Sequence, residues 1–264
     1  MEKKMNRYAA LIERIFQTHY RAGMENFTFK REELSKTARQ LGIALPKNLG
    51  DVVYSFRYRV ALPESVTKTA RPGMLWIIKG AGTGKHLFTQ ARTGRIEPDE
   101  SMLPIKVPNA TPEILLANAF DDEQALLAKV RYNRLIDLFL GITAHSLQNH
   151  LRTTVTGIGQ IEIDELYVGL NRRGSQFIVP VQAKVGKDQH GVVQTEQDMA
   201  FCNERFPNLV CRPVSVHALS GNRIALFELT QHEDEIRIVD QKHYLLVPAS
   251  DISAADLQRY NSAD

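Results

Sequence analysis

Two short stretches carry residues whose types and spacing could do chemistry. One is Ile161-Glu162-Ile163-Asp164-Glu165-Leu166-Tyr167-Val168-Gly169; the other is Phe177-Ile178-Val179-Pro180-Val181-Gln182-Ala183-Lys184. Both are rich in Val, Ile, Tyr and Phe, and Asn171-Arg172-Arg173-Gly174 between them suits a turn, so the pair reads as an antiparallel hairpin. Side chains alternate along a strand, which predicts Glu162 and Asp164 on one face and Ile161, Ile163 and Glu165 on the other. Gln182 and Lys184 share a face of the second strand by the same rule, opposite Val181 and Ala183. With those faces superposed, the hairpin presents a carboxylate, an amide oxygen and an ammonium at one spot. Such groups can hold a hard cation through oxygen and keep a positive donor beside it, as hydrolysis of a phosphodiester requires. The plainer alternative is a cross-strand ion pair on an exposed face, and Gln-x-Lys is common by chance.

The hairpin needs elements around it. Residues 193–206 read as a helix with Val193, Met199, Ala200 and Phe201 among its buried candidates, and residues 209–217 as the next strand. Upstream, a helix is expected over 122–130, a short apolar run over 135–140 is helix end or strand, and 145–154 reads as a helix packed before the hairpin. Residues 223–230, 235–240 and 244–247 look like further strands, and 251–264 like a surface helix or a fraying tail.

An acidic residue on one strand and a Glu-x-Lys about twenty residues on resembles the PD-(D/E)XK nuclease superfamily; here Asp164 and Gln182-Ala183-Lys184 carry the likeness, over roughly residues 144–218. Ile163 stands where the family often has Pro, and Gln182 where a Glu or Asp is usual. Gln at this position is similar to a known variant, although one charge fewer should weaken Mg²⁺ binding. The resemblance implies a restriction-endonuclease-like core of order αβββαβ, whose third meander strand has no secure place in this reading. It implies Mg²⁺ held by Asp164, the Gln182 side chain and the Ala183 carbonyl. Lys184 would orient the attacking water or stabilise the pentacovalent oxyanion. Glu162 could restore the charge missing at Gln182, and Gln197, on the following helix, is a further candidate.

Charge is distributed unevenly. The net charge is +3, yet residues 1–90 hold sixteen Lys or Arg against seven Asp or Glu, a balance of +9 that leaves −6 for the remainder. A basic half suggests a polyanionic partner. Helices are expected over 5–20, 31–41 and 47–59, the last opened by Pro46 and buried through Leu49, Val52, Val53 and Phe56. Phe27-Thr28-Phe29 is a short extended piece, and Leu75 to Lys79 pairs with His86 to Thr89 across a Gly-rich turn. Three helices and a ribbon suggest a winged helix-turn-helix, with the third helix in the major groove of double-stranded DNA. Asn48 and Arg57 would read base edges, Ser55 shares that polar face, and Arg59, Lys79 and Lys85 would contact phosphates. A packing or dimerisation module is the alternative.

Lys79-Gly80-Ala81-Gly82-Thr83-Gly84-Lys85-His86 superficially resembles a phosphate-binding loop, but the first position lacks Gly, the last lacks Ser or Thr, and Leu87-Phe88-Thr89-Gln90 looks extended where a helix is required. No nucleotide cofactor is expected. Two cysteines and scattered histidines make neither a disulfide framework nor a zinc site. No apolar run reaches eighteen residues and the N-terminus has no apolar signal core, so a cytoplasmic location with no membrane span is expected; a bacterial or archaeal setting is what the resemblance implies. The organisation expected is therefore α+β: a winged-helix DNA-binding domain over 1–92, a Pro-rich linker over 93–121 and a nuclease domain with a central mixed sheet over 122–264. Within the resembled class a type II restriction endonuclease acting as a homodimer fits best, because two strands need two sites. A repair or junction nuclease, or a regulator with a degenerate nuclease fold, are the alternatives.

Overall fold

The computed structural model describes residues 8–58, 60–120, 122–186, 188–233 and 235–262. In chain order, the first elements are α1 (Ala9–His19), β1 (Asn26–Lys30), α2 (Arg31–Leu41), α3 (Gly50–Tyr58), α4 (Glu64–Thr67), β2 (Leu75–Gly80) and β3 (Lys85–Ala91). The three strands form one antiparallel sheet in the order β1-β3-β2. Leu11, Ile12, Ile15 and Phe16 recur on one face of α1 and bury against Phe27, Phe29, Leu34, Val52, Trp76 and Phe88, a core whose residues all come from this part of the chain. Gly42, at φ 66, ends α2 in the left-handed conformation that a side chain would oppose. Helix α3 begins three residues later than Lys47, because Asn48 turns back to accept from the Gly50 N–H and to donate to Asp51. The Gly-rich segment is a hairpin tip leading into β3, with Gly82 and Gly84 at positive φ, and not the entry to a helix.

Next come β4 (Arg95–Ile96), β5 (Ile105–Pro108), α5 (Glu113–Asn118), α6 (Glu123–Tyr132), α7 (Leu135–Leu140), β6 (Thr143–Val155), β7 (Gly159–Leu170) and β8 (Gln176–Lys184). The remainder holds β9 (His190–Gly191), α8 (Val192–Arg205), β10 (Val210–Cys211), β11 (Val214–Leu219), β12 (Arg223–His232), β13 (Glu235–Val247) and α9 (Ala254–Asn261). A curled mixed sheet runs in the order β5-β13-β12-β11-β8-β7-β6, with β10 also on β8. Antiparallel pairs join β6, β7 and β8, whereas β8 and β11 run parallel, Gln182 opposite Ser215 and Lys184 opposite His217. Strand β8 is buried almost throughout because helices cover both its faces: α6 and α7 pack on Val179, Val181 and Ala183, while Cys202 of α8 meets Ile178. The molecule is therefore mixed α+β. Among the described residues no helix is long and apolar enough to cross a membrane.

Two expectations are corrected. Residues 145–154 are not a helix; they belong to β6, which pairs antiparallel with β7. As the edge of the sheet β6 is largely exposed, so it has no alternation of apolar and polar residues, and Leu147 and Leu151 mimic helical spacing. The supposed linker 93–121 is not structureless: β5 forms the opposite edge of the sheet on β13, and β4 pairs with β9.

Candidate functional site

The hairpin ladder of β7 and β8 runs from Leu170↔Gln176 to Glu165↔Val181 and then opens. At the opening, the Ala183 N–H donates to Asp164 Oδ2 at 2.8 Å, so a side chain takes the place of a ladder carbonyl. Lys184 Nζ lies 3.4 Å from Gln182 Oε1 and 3.9 Å from Asp164 Oδ2. Asp164, Gln182 and Lys184 thus gather at one point, as their spacing predicts. Burial pushes the Asp164 carboxyl above the ordinary carboxylate range; the Lys184 ammonium and the Ala183 N–H pull it down, and Glu123 and Glu162 push it up.

The facial alternation read from sequence fails in one respect. Ile161 and Ile163 pack with Ala200 and Phe201 of α8, but Glu165, two residues on, reaches Arg131 Nε of α6 at 2.9 Å, across the sheet. The slip falls at Asp164. On the neighbouring strand, between the pairs Asn149↔Glu165 and Leu151↔Ile163, His150 has φ 50, in the left-handed region. Such an irregularity re-aims side chains on both strands, and irregular strand geometry is frequent beside active sites. Glu162 accordingly does not join the cluster through its carboxylate, which pairs with Arg152 Nε and His150 Nδ1, each at 3.2 Å. Its contribution is its carbonyl, which accepts from Gln182 Nε2 at 2.9 Å.

Fit to a hard cation can be judged from Gln182. A carbonyl only accepts, so the Gln182 amide must turn its NH₂ to Glu162 and its oxygen to the Lys184 side. The available donors, one carboxylate and one oriented amide oxygen, suit Mg²⁺, which keeps several waters and uses few protein ligands. Among the described residues no three His, Cys, Asp or Glu side chains converge as a metal-ligating group. Ala183 is fully buried and reaches the site through its backbone alone.

These residues open onto a cleft of about 710 Å³, lined also by Gln194 and Gln197 of α8, by Glu123 at the start of α6, and by Asn48, Asp51, Tyr54 and Arg57 of α3 and the turn before it. The polar face of α3 therefore shares a cavity with the hairpin. Arg57 is hydrogen-bonded to His86 Nδ1 at 2.9 Å, and Ser55 is partly buried. Lys79 is not at the disposal of a phosphate: its ammonium meets Glu196 of α8 at 2.5 Å. Lys85 is exposed at the hairpin tip. Arg59 lies outside the described residues.

Sequence reasoning missed Asp198 and Glu123. Asp198 is buried on α8 and accepts from Gln182 Nε2 at 3.0 Å. Its signal was readable: it falls on the inward stripe with Thr195 and Cys202, where an apolar residue is expected. Behind it, His190 Nδ1 contacts Ser215 Oγ at 2.6 Å, and Ser215 Oγ contacts His217 Nε2 at 2.8 Å, a buried polar chain beneath the lysine. Burial, with Lys184 nearby, holds His190 well below the ordinary histidine value and His217 down to about 3. Compared with known proteins, the chain matches no family model, no curated protein and no solved structure.

Proposed function

We propose that this protein is a Mg²⁺-dependent DNA endonuclease of the PD-(D/E)XK type. One observation carries the reading: Lys184 Nζ stands within 4 Å of both Asp164 Oδ2 and Gln182 Oε1 at the floor of an open cleft. With the two-residue strands β9 and β10 set aside, the succession α6, α7, β6, β7, β8, α8, β11 supports it, since it supplies helix, three antiparallel strands, helix and parallel strand. Asp164, the Gln182 amide oxygen and the Ala183 carbonyl would hold the ion. When bound, Mg²⁺ supplies a more acidic water and neutralises charge developing on the phosphate. Lys184 donates to a non-bridging phosphate oxygen or to the attacking water, and the buried setting strengthens that interaction. Partial burial of Asp164 and full burial of the Gln182 amide limit their motion and so preserve the spacing of the ligands.

The order α1, β1, α2, α3, α4, β2, β3 with sheet β1-β3-β2 supports a winged-helix module with one added short helix, α4. Together with the basic excess of residues 1–90, it favours double-stranded DNA as partner, read by Asn48, Arg57 and the Ser55 on the same face, and held at its phosphates by Arg59 and Lys85. A type II restriction enzyme acting as a homodimer is the leading assignment. A repair or junction nuclease has one observation of its own: α3 and the hairpin line the same cleft, so a strand being cut there would lie against α3. Incubation with plasmid and Mg²⁺ separates the readings. Discrete fragments mean restriction, structure-dependent nicks mean repair, and retarded but uncut DNA would reject catalysis.

A further inference from the structure

Gln182 is 2 % exposed and its amide has no freedom left once its neighbours are counted. One amide hydrogen goes to the Glu162 carbonyl at 2.9 Å and the other to Asp198 Oδ2 at 3.0 Å. The oxygen must then face the remaining side, where Lys184 Nζ and Gln194 Nε2, each at 3.4 Å, are donors. The Glu162 carbonyl already favours this orientation; a second acceptor on the same NH₂ group means that a flipped amide would set its oxygen against two acceptors in place of one. Asp198 supplies the second acceptor, from the neighbouring α8 and itself 2 % exposed.

We propose that Asp198 is a positioning residue for the cation site: it helps lock the Gln182 amide so that Oε1, not the NH₂ group, faces Lys184 and Gln194. The role rests on the metal-dependent reading above and goes beyond it by assigning a function to a buried acid outside the Asp164, Gln182, Lys184 set. It also explains how Gln can serve where a carboxylate is usual. A carboxylate presents oxygen whichever way it turns, whereas an amide presents oxygen only when its other end is held. An accepting oxygen is all that is needed at position 198, so Asn can replace Asp there, while Leu or Ser cannot: Leu lacks the acceptor and Ser lacks the reach.

The test is Mn²⁺ binding to the full chain, measured by calorimetry without DNA, for the wild type, Asp198→Asn, Asp198→Leu and Gln182→Ala, with Asp198→Leu also combined with Gln182→Ala. Asp198→Leu is expected to weaken Mn²⁺ binding on the order of 10–100-fold, as loss of an orienting partner does elsewhere. Asp198→Asn is expected to keep the wild-type affinity, and Asp198→Leu to add nothing once Gln182 is Ala. Equal losses in both backgrounds, or Asn as damaging as Leu, would overturn the role. Should Asp198→Leu not fold, Asp198→Ser is the substitute and the same comparisons decide. Wild-type protein without Mn²⁺ binding would instead bring down the metal reading itself. Protein that binds Mn²⁺ and cuts DNA, with variants at 198 indistinguishable from wild type, would remove only Asp198.

Discussion

Lys184 and Asp164 stand 3.9 Å apart, and under the nuclease reading each has a different task, so each removal should leave a different trace. Lys184→Ala is expected to lower the cleavage rate about 10²–10³-fold, the usual cost of losing one charged donor to a transition state, while DNA retention in gels is unchanged. Asp164→Ala should abolish both cleavage and Mn²⁺ binding. Cleavage by either variant at the wild-type rate would end the assignment. Buried histidines make a second prediction at this scale. Burial holds His86 down to about 4, helped by Arg57 and Arg31, and His217 down to about 3. An unfolded chain takes up these protons near 6.5, so between pH 6.5 and about 3 the unfolded state binds more of them and stability falls as pH falls. Burial raises the Asp198 and Asp164 carboxyls and so acts in the opposite sense; the histidine contribution is isolated by comparison, and the melting temperature of His217→Gln should fall less steeply below pH 6.5 than that of the wild type. The three chemistry-bearing residues were legible because a period of two and a short spacing suffice to bring them together. Asp198 was legible only as a polar residue on the inward stripe of α8, and Glu123 not at all, since nothing local ties α6 or α8 to a particular strand.

The elements β6 and β7 show how one backbone position can redirect a face. His150 adopts φ 50 opposite Asp164, and this conformation costs an ordinary L residue roughly 1–2 kcal/mol, more for a β-branched one and nothing for Gly. His150→Gly should therefore leave stability unchanged or raise it, and His150→Val should lower it, as read in urea unfolding. The reverse order would mean that the slip at Asp164 has another cause. On the other side of the sheet Glu165 is fully buried, accepting from Arg131 Nε at 2.9 Å and Ser146 Oγ at 2.5 Å. Arg131→Ala leaves that carboxylate without its cation and should cost about 3 kcal/mol, at the low end for a buried pair because Arg131 is itself partly exposed. Helices α1, α2 and α8 and the hairpin followed from pattern alone. Strand β6 did not, since an exposed edge carries no buried face for a pattern to record.

At the scale of the whole molecule, the basic N-terminal part is not a loosely tethered reader. Lys79 pairs with Glu196, β4 pairs with β9, and the backbone at Gly80 lies so close to the Ile158 carbonyl that a Cβ there would sit 3.1 Å from it. These contacts turn the α3 face toward the hairpin. If Lys85 contacts a phosphate, Lys85→Ala should reduce the slope of log K against log salt by about 1. Lys79→Ala should leave that slope unaltered, because its ammonium is already engaged. Equal slopes for wild type and Lys85→Ala would exclude the hairpin tip from DNA contact.

By itself the sequence determined which residues can do chemistry, that two strands joined by a tight turn present them, and that basic charge gathers in the first third of the chain. Those properties are local: they need only a side-chain period, a turn composition and a count of charges. Tertiary structure decided the rest. It set the acceptor that orients Gln182, turned Glu162 away from the cluster, engaged Lys79 with Glu196 and placed α3 over the hairpin. Each of these depends on contacts between segments far apart in the chain, and no periodicity within one segment specifies which distant segment it will meet.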